Sequence, residues 1–527
     1  MNKSSNKLIP LLLTIGVSIF TVIAIYLSLF SMSLSAYTKD ELEIAARYFK
    51  GELKTTPFLE EFRASVKEDV PVIKDFSVQK RTQLIIRALK SLADNQGVIG
   101  ILAAGASTRM NLLDAPADVK NLLGNKDIKS KASVPVGLIK NQAISFLGAF
   151  LINLARLEEQ ISKAIDKKID LKILILSNND YRAELDEQLR EHDYYNLKPE
   201  QFVIFHQELG HQMIATPEDA LKTSEKLKSS DEDKKAALEI SQKAQEEFSK
   251  NNLEALMLKD EKAPLGHGEF FHQLISSGTF LKLYEDGRTW ISIRNIDNSA
   301  ATYDENWLVT LGLFLERGLD MQPEVSLRVA GQKGGSLIIS GDKQILAEDP
   351  QIEASKNKNT TPHKNSHWIN NAVAIFSMDY VIDLYKKAGQ SKENFIQELK
   401  SANTKELEEI AQRGRKNFPV LMDPKPAKTS KAIAMKVETN MWQSTGIVGP
   451  QIKIKAVGVD GIFNIKDEFE KSGPEKKAQF VKNLRFLATK QWEGPSESYE
   501  SNKAYIDFML EHITQSDLIP KNLVIKH

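Results

Sequence analysis

The chain has 527 residues, of which 42% are hydrophobic and 27% charged, and 70 basic residues balance 70 acidic ones. This globular composition excludes a disordered, collagen-like or coiled-coil chain, and the zero net charge argues against a nucleic-acid partner. The absence of cysteine excludes a disulfide framework, a thiolate metal site and a cysteine nucleophile. A chain of this length forms about two or three domains.

The first predicted element is an uncharged, largely apolar stretch that follows Lys3 and Lys7 and runs from Leu8 to about Leu34. It exceeds the roughly 20 residues that cross a bilayer, so we predict a single-pass transmembrane anchor over residues 1–36 and a membrane location. Small residues near its end leave a cleaved signal peptide and secretion as one alternative, and a buried core helix is another. Basic residues lie on both sides, which leaves the orientation open.

The main body of the chain predicts an α/β fold. Residues 37–95 have the apolar period of helices. Four short apolar runs then predict buried strands at 97–102, 171–176, 201–205 and 289–293. Because helical patterns lie between some of these runs, we predict a mixed, mostly parallel sheet flanked by helices over residues 96–465. The charged segment 217–252 predicts a solvated helical insertion, and residues 466–527 predict a helical C-terminal region.

Small residues, including Ala104 and Gly105, follow the first predicted strand. Small side chains let a phosphate approach backbone N–H groups, and Arg109 is placed to pair with phosphate oxygens. A tight strand-to-helix turn without a ligand is the alternative. The segment is therefore a candidate phosphate-binding loop.

Two further motifs contain candidate ligand-binding residues. The glycines of Gly266-His267-Gly268 permit close approach of a ligand to which His267 could donate a hydrogen bond, although such a turn can also be purely structural. Asn295 and Asp297 follow the fourth predicted strand, at the end where α/β folds bind ligands. Asp297 could hold Mg²⁺, which prefers one or two carboxylates together with substrate phosphates, or it could cap a helix.

Lys333 and Lys425 each lie beside turn residues, and either could neutralise phosphate charge or be a solvated surface residue. The histidines have no zinc-ligand spacing, and no serine nucleophile elbow occurs. The candidate chemistry is therefore phosphate and metal binding.

In their order along the chain, these motifs resemble those of the UTP–glucose-1-phosphate uridylyltransferases of eukaryotic type, within the sugar-nucleotidyltransferase superfamily. The resemblance covers roughly residues 97–466. It is strongest from Gly266 to Tyr303, where Gly-His-Gly is followed by Asn-Ile-Asp-Asn at the family's spacing. The later motifs also follow in family order: Lys333-Gly334-Gly335-Ser336-Leu337 with Glu348, Asn370-Asn371, Asp423-Pro424-Lys425 and Val437-Glu438-Thr439.

The resemblance implies a GT-A-like, Rossmann-like domain and a Mg²⁺-dependent reaction. The phosphate of glucose 1-phosphate would attack the α-phosphorus of UTP in line, giving UDP-glucose and pyrophosphate, so the partners would be UTP and the sugar 1-phosphate. The implied residues are Lys131, Lys425 and Arg109 as catalytic; Ala104, Gly105, Gln207, Gly266, His267 and Asn295 as nucleotide-binding; Asn295, Gly334, Glu348 and Asn371 as sugar-binding; and Asp297 as the metal ligand.

Departures from the family pattern leave alternatives open. Ala104 and Ser107 stand where closer relatives have glycine, and the long loop before Lys131 makes Lys126 or Lys129 an alternative working lysine. The family's arginine-containing motif before its C-terminal domain is not evident. A different sugar 1-phosphate as substrate, or a non-catalytic UDP-sugar-binding protein, is therefore the alternative function. The sequence predicts neither the oligomeric state nor the preferred hexose.

Overall fold

The computed structural model describes residues 37–55, 61–105, 130–140, 142–207, 209–329, 334–348, 351–352, 366–446, 452–461, 471–477, 484–486, 507, 509–515 and 517–520. In this part of the chain the fold is mixed α/β. It divides into two compact units. The smaller unit takes its described residues from Met1–Lys54, Gly210–Ala263 and Asp423–Lys436, and the larger from Thr55–Leu209, Pro264–Met422 and Val437–His527.

The described strands are β1 Arg63–Ala64, β2 Gly97–Leu102, β3 Pro135–Ile139, β4 Gln142–Ser145, β5 Lys172–Asn178, β6 Phe202–Gln207, β7 Leu209–Ile214, β8 Met257–Pro264, β9 Trp290–Asn295, β10 Met321–Leu327, β11 Ser336–Ser340, β12 Lys343–Ala347, β13 Trp368–Ser377, β14 Val420–Pro426, β15 Ile433–Thr439, β16 Val457–Gly461 and β17 Leu484–Phe486. The four predicted strands are confirmed as β2, β5, β6 and β9.

The α-helices with described bounds are α1 Lys39–Phe49, α2 Val78–Ala93, α3 Phe146–Ile165, α4 Arg182–Glu191, α5 Pro217–Lys226, α6 Asp231–Ser249, α7 Glu269–Ser276, α8 Thr279–Glu285, α9 Glu305–Arg317, α10 Met378–Tyr385, α11 Lys392–Ser401 and α12 Thr404–Arg415. Helices α5 and α6 occupy the charged segment 217–252. They begin at the hydroxyl caps Thr216 and Ser230.

The larger unit is built around a sheet to which eleven of the described strands contribute. Its main order is β17, β16, β10, β13, β9, β2, β5, β6, and β11 joins β13 to β12 and β1. Strand β13 is antiparallel to β10 and β9, whereas the other neighbours along the main order are parallel. The sheet is therefore mixed: five of its described pairings are parallel, all of them along the main order, and five are antiparallel. A small hairpin of β3 and β4 lies in the same unit.

Strand β2 has no polar side chain and is buried along its whole length, because both faces of the sheet are covered there. Along β2, Ile99 and Ile101 belong to one core cluster, and Val98 and Leu102 belong to another. This alternation follows from the two-residue period of a strand. Side chains of α2, α3 and α9 belong to the first cluster, and side chains of α7 and α10 to the second. The helices therefore form layers on opposite faces of the sheet.

The smaller unit contains α1, α5 and α6 with most residues of a four-stranded sheet in the order β14, β15, β7, β8. Helix α1 begins with a capping box between Thr38 and Glu41. The hydroxyl of Tyr48 in α1 donates to the Asp219 carboxylate of α5 at 2.5 Å. Contacts of this kind join the helices of the smaller unit.

The segment predicted to be a helical C-terminal region contains a short described strand, β17, which pairs in parallel with β16. Such a strand forms because a neighbouring strand has backbone N–H and C=O groups free to pair with it. The spacing of apolar residues in the sequence does not reveal this pairing. Further on, residues 509–515 are helical. Met509 and Ile513 are buried in the core cluster that contains α3.

The predicted N-terminal hydrophobic helix, and with it the membrane anchor and membrane location, is corrected. Among the described residues, no helix is both long enough and apolar enough to cross a membrane. The longest of them, α3, has 20 residues, but Arg156, Glu159 and Lys163 interrupt its apolar character while the opposite side packs into the core. The stretch 1–36 on which the prediction rested lies outside the described residues.

Candidate functional site

The carboxyl ends of four neighbouring parallel strands lie along one edge of the large sheet. Leu102, the last residue of β2, pairs with Asn295 of β9 on one side and Leu176 of β5 on the other. At the next strand, Asn178 of β5 pairs with Gln207 of β6. This edge is where open α/β sheets bind ligands. The structure therefore brings four sequence-predicted residues, Ala104, Gly105, Gln207 and Asn295, to the same edge.

Lys131 and Asp297 form an ion pair at this edge. The Lys131 Nζ atom lies 3.2 Å from Asp297 Oδ2, and 18% and 14% of the two side chains are exposed. The backbone N–H of Lys131 donates to the carbonyl of Gly105 at 3.1 Å. A Cβ atom at Gly105 would lie 3.4 Å from Lys131 Cδ, so the lysine stem passes closely over the glycine. A cation and a carboxylate are thus held together beside the small-residue turn.

Three other predicted cations near this turn, Arg109, Lys126 and Lys129, lie outside the described residues. Lys131 is the lysine that the described residues place beside Asp297.

Asn178 is a site residue that the sequence did not reveal. Its side chain is fully buried, and Nδ2 donates to the carbonyl of Ala104 at 2.8 Å. This hydrogen bond ties the turn after β2 to the end of β5. The available signal in the sequence was its position, because Asn178 is a polar residue at the end of the apolar run that forms β5.

Gln207 has an unusual buried acceptor. Only 1% of the residue is exposed, and within the described residues its Oε1 atom has no hydrogen-bond partner. A buried acceptor without a partner costs about 1–3 kcal/mol. It is therefore suited to receive a hydrogen bond from a bound ligand.

The Gly-His-Gly turn packs against Thr439, the last residue of β15. Gly266 has a φ of 105°, and a Cβ atom there would lie 2.2 Å from the carbonyl oxygen of Thr439. The Gly268 N–H donates to that carbonyl at 3.2 Å, and the Thr439 N–H donates to Leu265 at 2.9 Å. Glycine is thus required at 266 by both the backbone conformation and the close packing.

His267 contacts an aromatic residue that the sequence did not single out. The indole N–H of Trp442 donates to His267 Nδ1 at 3.1 Å, and the two rings meet edge to face with centroids 6.2 Å apart. Helix α7 begins two residues later. No motif or spacing marks Trp442 as a partner of this histidine.

The predicted sugar-binding residues form two local groups in the larger unit. In the first, Gly334 has a φ of 140°, and its carbonyl accepts a hydrogen bond from Arg328 at 3.1 Å. A Cβ atom at Gly335 would lie only 2.7 Å from Glu348 Oε1. The glycine pair therefore allows the Glu348 carboxylate to lie directly against the backbone.

The second group is centred on Asn371 of β13. Its Oδ1 atom accepts from the Ser326 hydroxyl at 2.9 Å, and its backbone carbonyl accepts from Asn298 Nδ2 at 3.5 Å. Its Nδ2 atom is buried and finds no hydrogen-bond partner among the described residues. Asn298 belongs to the Asn-Ile-Asp-Asn motif, so this contact joins the predicted metal and sugar motifs.

Lys425 belongs to the smaller unit, on β14. Its Nζ atom lies 2.6 Å from Asp423 Oδ2, and both side chains are nearly half exposed. Residues two apart on a strand share a face, which explains this local pair.

Asp297 is the predicted metal ligand. Within the described residues, no group of three or more His, Asp or Glu side chains could hold a metal ion. A single carboxylate nevertheless fits Mg²⁺, because this ion usually binds through one or two carboxylates and takes its other ligands from substrate phosphates and water.

Comparisons with known proteins agree with the motif resemblance. Residues 214–440 match the family model described as UTP–glucose-1-phosphate uridylyltransferase. A protein of that name from Encephalitozoon cuniculi is 34% identical over 115 residues, which are 20% of this chain and 23% of the relative. UTP–glucose-1-phosphate uridylyltransferase 2 of Dictyostelium discoideum is 34% identical over 94 residues, 18% of each chain. The matches thus span about a fifth of each relative.

Solved structures also resemble the chain at low identity. The UDP-glucose pyrophosphorylase of Leishmania major is 16% identical with a TM-score of 0.46, covering 79% of this chain and 70% of that one. The uridine diphosphate N-acetylglucosamine pyrophosphorylase of Trypanosoma brucei is 13% identical with a TM-score of 0.49, covering 91% and 88%.

Proposed function

We propose that this chain, whose residues 214–440 match the family model of the UTP–glucose-1-phosphate uridylyltransferases, forms UDP-glucose and pyrophosphate from UTP and glucose 1-phosphate. A phosphate oxygen of the sugar 1-phosphate forms a bond to the α-phosphorus of UTP. The bond from that phosphorus to the bridging oxygen breaks, and pyrophosphate leaves with the electron pair. The Lys131–Asp297 pair beside the Gly105 turn is the observation that most supports this reaction.

The paired side chains suit this chemistry because phosphoryl-type transfer depends mainly on positioning and on stabilising negative charge. The ammonium of Lys131, held by its backbone bond to Gly105, would bind oxygens of the triphosphate. Asp297 would hold Mg²⁺, which when bound supplies positive charge at the nucleotide phosphates. Arg109 is proposed as a further phosphate ligand.

Two buried amide atoms that have no hydrogen-bond partner among the described residues, on Gln207 and Asn371, suit the uracil of UTP and the sugar of the sugar 1-phosphate. Gln207 Oε1 would accept the N–H of uracil, alongside the backbone of Ala104, Gly105 and Gly266. Asn371 Nδ2 would donate to a sugar hydroxyl. Asn295, the last residue of β9, would contact both the nucleotide and the sugar. Gly334 and Glu348 would complete the sugar side.

We propose glucose as the sugar because the family model and both curated relatives carry glucose 1-phosphate in their names. A panel of glucose, galactose and N-acetylglucosamine 1-phosphates would test this choice. A turnover per unit KM highest for glucose 1-phosphate would support it. A clear preference for another sugar would replace it without changing the reaction class.

The experiment for the reaction measures pyrophosphate release by the full chain with Mg²⁺, UTP and the sugar phosphates. Lys131→Ala and Asp297→Asn should each lower turnover by about 10²–10³-fold, as loss of a charge-stabilising group does. The control is Lys163→Ala, since that lysine is 73% exposed on α3. Wild-type turnover in both site variants would refute the proposal. UDP-glucose binding without pyrophosphate release, for every sugar tested, would favour a non-catalytic binding protein.

A further inference from the structure

The hydrogen bond between Trp442 and His267 has a defined direction. An indole N–H can only donate, so His267 Nδ1 must be the acceptor and carries no proton while the bond exists. A neutral imidazole has one N–H, which is therefore on Nε2. A doubly protonated ring would offer no acceptor and would lose the bond. The contact thus selects one protonation state of the ring out of three.

Trp442 is held firmly enough to impose this choice. The residue is 2% exposed, and its ring packs against Phe376 with centroids 5.9 Å apart. Its backbone N–H donates to Asn440 Oδ1 at 3.0 Å. Ser444, two residues later, is hydrogen-bonded to the hydroxyl of Tyr380 at 2.6 Å. The indole therefore has little freedom to turn away from the histidine.

The histidine is also placed by its neighbours. The Gly266 and Gly268 backbones pack against Thr439, so the turn that carries His267 has a defined position. A buried indole N–H normally finds a partner, because leaving it unpaired costs about 1–3 kcal/mol. That cost is the driving force that keeps Nδ1 unprotonated.

We propose that Trp442 is a positioning residue that fixes the tautomer of His267, keeping the ring neutral with its proton on Nε2. The role of that proton rests on the proposed function: Nε2–H is the donor that would bind an anionic phosphate of the substrates. Without the indole, the ring can also carry its proton on Nδ1 or accept a second one. The fraction of rings presenting the correct donor at neutral pH would then fall.

The first test reads the tautomer directly and needs no substrate. ¹⁵N NMR of the full chain labelled at histidine distinguishes the protonated from the unprotonated ring nitrogen, and the His267 signals are assigned by their loss in His267→Gln. In the wild-type protein we expect Nδ1 to be unprotonated. A proton on Nδ1 of the neutral ring would overturn the proposal, whether or not any variant folds and whether or not the chain is an enzyme.

The second test compares Trp442→Phe with Trp307→Phe. Both variants remove a buried indole N–H, but Trp307 donates to Ser292 at 3.2 Å instead of to a histidine. Trp442→Phe should give mixed His267 tautomers and raise the pH at which the ring protonates by roughly half to one unit. Trp307→Phe should leave both unchanged. Equal effects in the two variants would reduce Trp442 to a packing role and overturn the proposal.

The third test connects the tautomer to turnover. Trp442→Phe should lower kcat by roughly three- to tenfold and move the acidic limb of the pH profile upwards, in step with the NMR titration. In a His267→Gln background, which has no ring to orient, the same substitution should have no further effect on kcat. An undiminished effect in that background would overturn the proposal. Absence of turnover in the wild-type protein would refute the proposed function alone, since the NMR result stands by itself.

Discussion

Glu158, on α3 of the larger unit, is a partly buried carboxylate that belongs to none of the predicted site motifs. Its Oε1 atom accepts the backbone N–H of Leu171 at 2.9 Å and the side-chain amide of Gln201 at 2.8 Å. Burial raises the pKa of Glu158 from 4.5 to about 7, and the nearby charge of Asp170 adds to the rise. The two hydrogen bonds oppose this rise but do not cancel it. The group therefore titrates near neutral pH in the folded protein.

The sign of the resulting pH dependence follows from linkage. In the unfolded chain Glu158 ionises near pH 4.5, whereas in the fold it keeps its proton until about pH 7. Between these values the folded state binds more protons than the unfolded state, so the free energy of unfolding falls as pH rises. The contribution is complete below pH 4.5 and lost above pH 7. At 1.36 kcal/mol per pH unit, the loss amounts to about 3 kcal/mol.

The substitution Glu158→Gln removes the charge and keeps the oxygen that Leu171 and Gln201 contact. The variant should be more stable than the wild-type protein by about 1 kcal/mol at pH 5 and about 3 kcal/mol at pH 8. Glu159→Gln is the matched control, because that neighbouring carboxylate is 61% exposed and pairs with Lys163. Its effect should stay within about 0.5 kcal/mol at both pH values.

The assay is urea unfolding followed by tryptophan fluorescence at pH 5 and pH 8. The four described tryptophans are buried in the larger unit, the unit that contains Glu158, so the signal reports the relevant transition. A difference between wild-type and Glu158→Gln that does not grow between pH 5 and pH 8 would refute the raised pKa. A carboxyl group that titrates near pH 4.5 by NMR would refute it as well.

Two further predictions concern the backbone around the candidate site. Gly266→Ala would place a methyl group 2.2 Å from the Thr439 carbonyl oxygen at a φ of 105°, and should cost more than about 3 kcal/mol in thermal unfolding. Gly287 has a φ of 77° and no neighbouring described atom within 4 Å of the position that a methyl group would take, so Gly287→Ala should lower the free energy of unfolding by only about 1 kcal/mol. Equal losses of stability in the two variants would contradict this reasoning. Asn153→Ala removes two buried hydrogen bonds, of 3.2 and 2.5 Å, to the backbone of Tyr303. It should lower the urea unfolding free energy by about 2–4 kcal/mol, and a loss under about 1 kcal/mol would count against that role.

Local patterns were sufficient to predict four neighbouring strands of the large sheet and to select residues that the structure places at the carboxyl ends of those strands. A strand covered on both faces needs an uninterrupted apolar run, and each of the four predicted runs forms one within two residues of its predicted bounds. Small residues after β2 and polar residues after β9 then indicate an edge where a ligand can bind, because the ends of adjacent parallel strands coincide. The order of the motifs indicated the family, and the match over residues 214–440 agrees with it.

Other features could not be read from local patterns. Hydropathy predicted a membrane anchor, whereas among the described residues no helix could cross a membrane, and the longest, α3, buries its apolar side in the protein's own core. Strand β17 exists only because it pairs with β16. The antiparallel strand β13 within an otherwise parallel neighbourhood likewise depends on which edges are free when the sheet assembles. An apolar segment can be buried in a protein core or in a membrane, and its hydropathy does not distinguish between these two environments.

The amino-acid sequence by itself thus determined four strands of the large sheet, where glycine and polar residues follow them, and which candidate residues carry charge. Only the tertiary structure decided the partners: Lys131 with Asp297, Asn178 with Ala104, and Trp442 with His267. These residues are 74 to 175 positions apart in the chain. Periodicity reports the environment of neighbouring residues, but a side-chain contact at such a separation exists only because packing brings two distant segments to the same place.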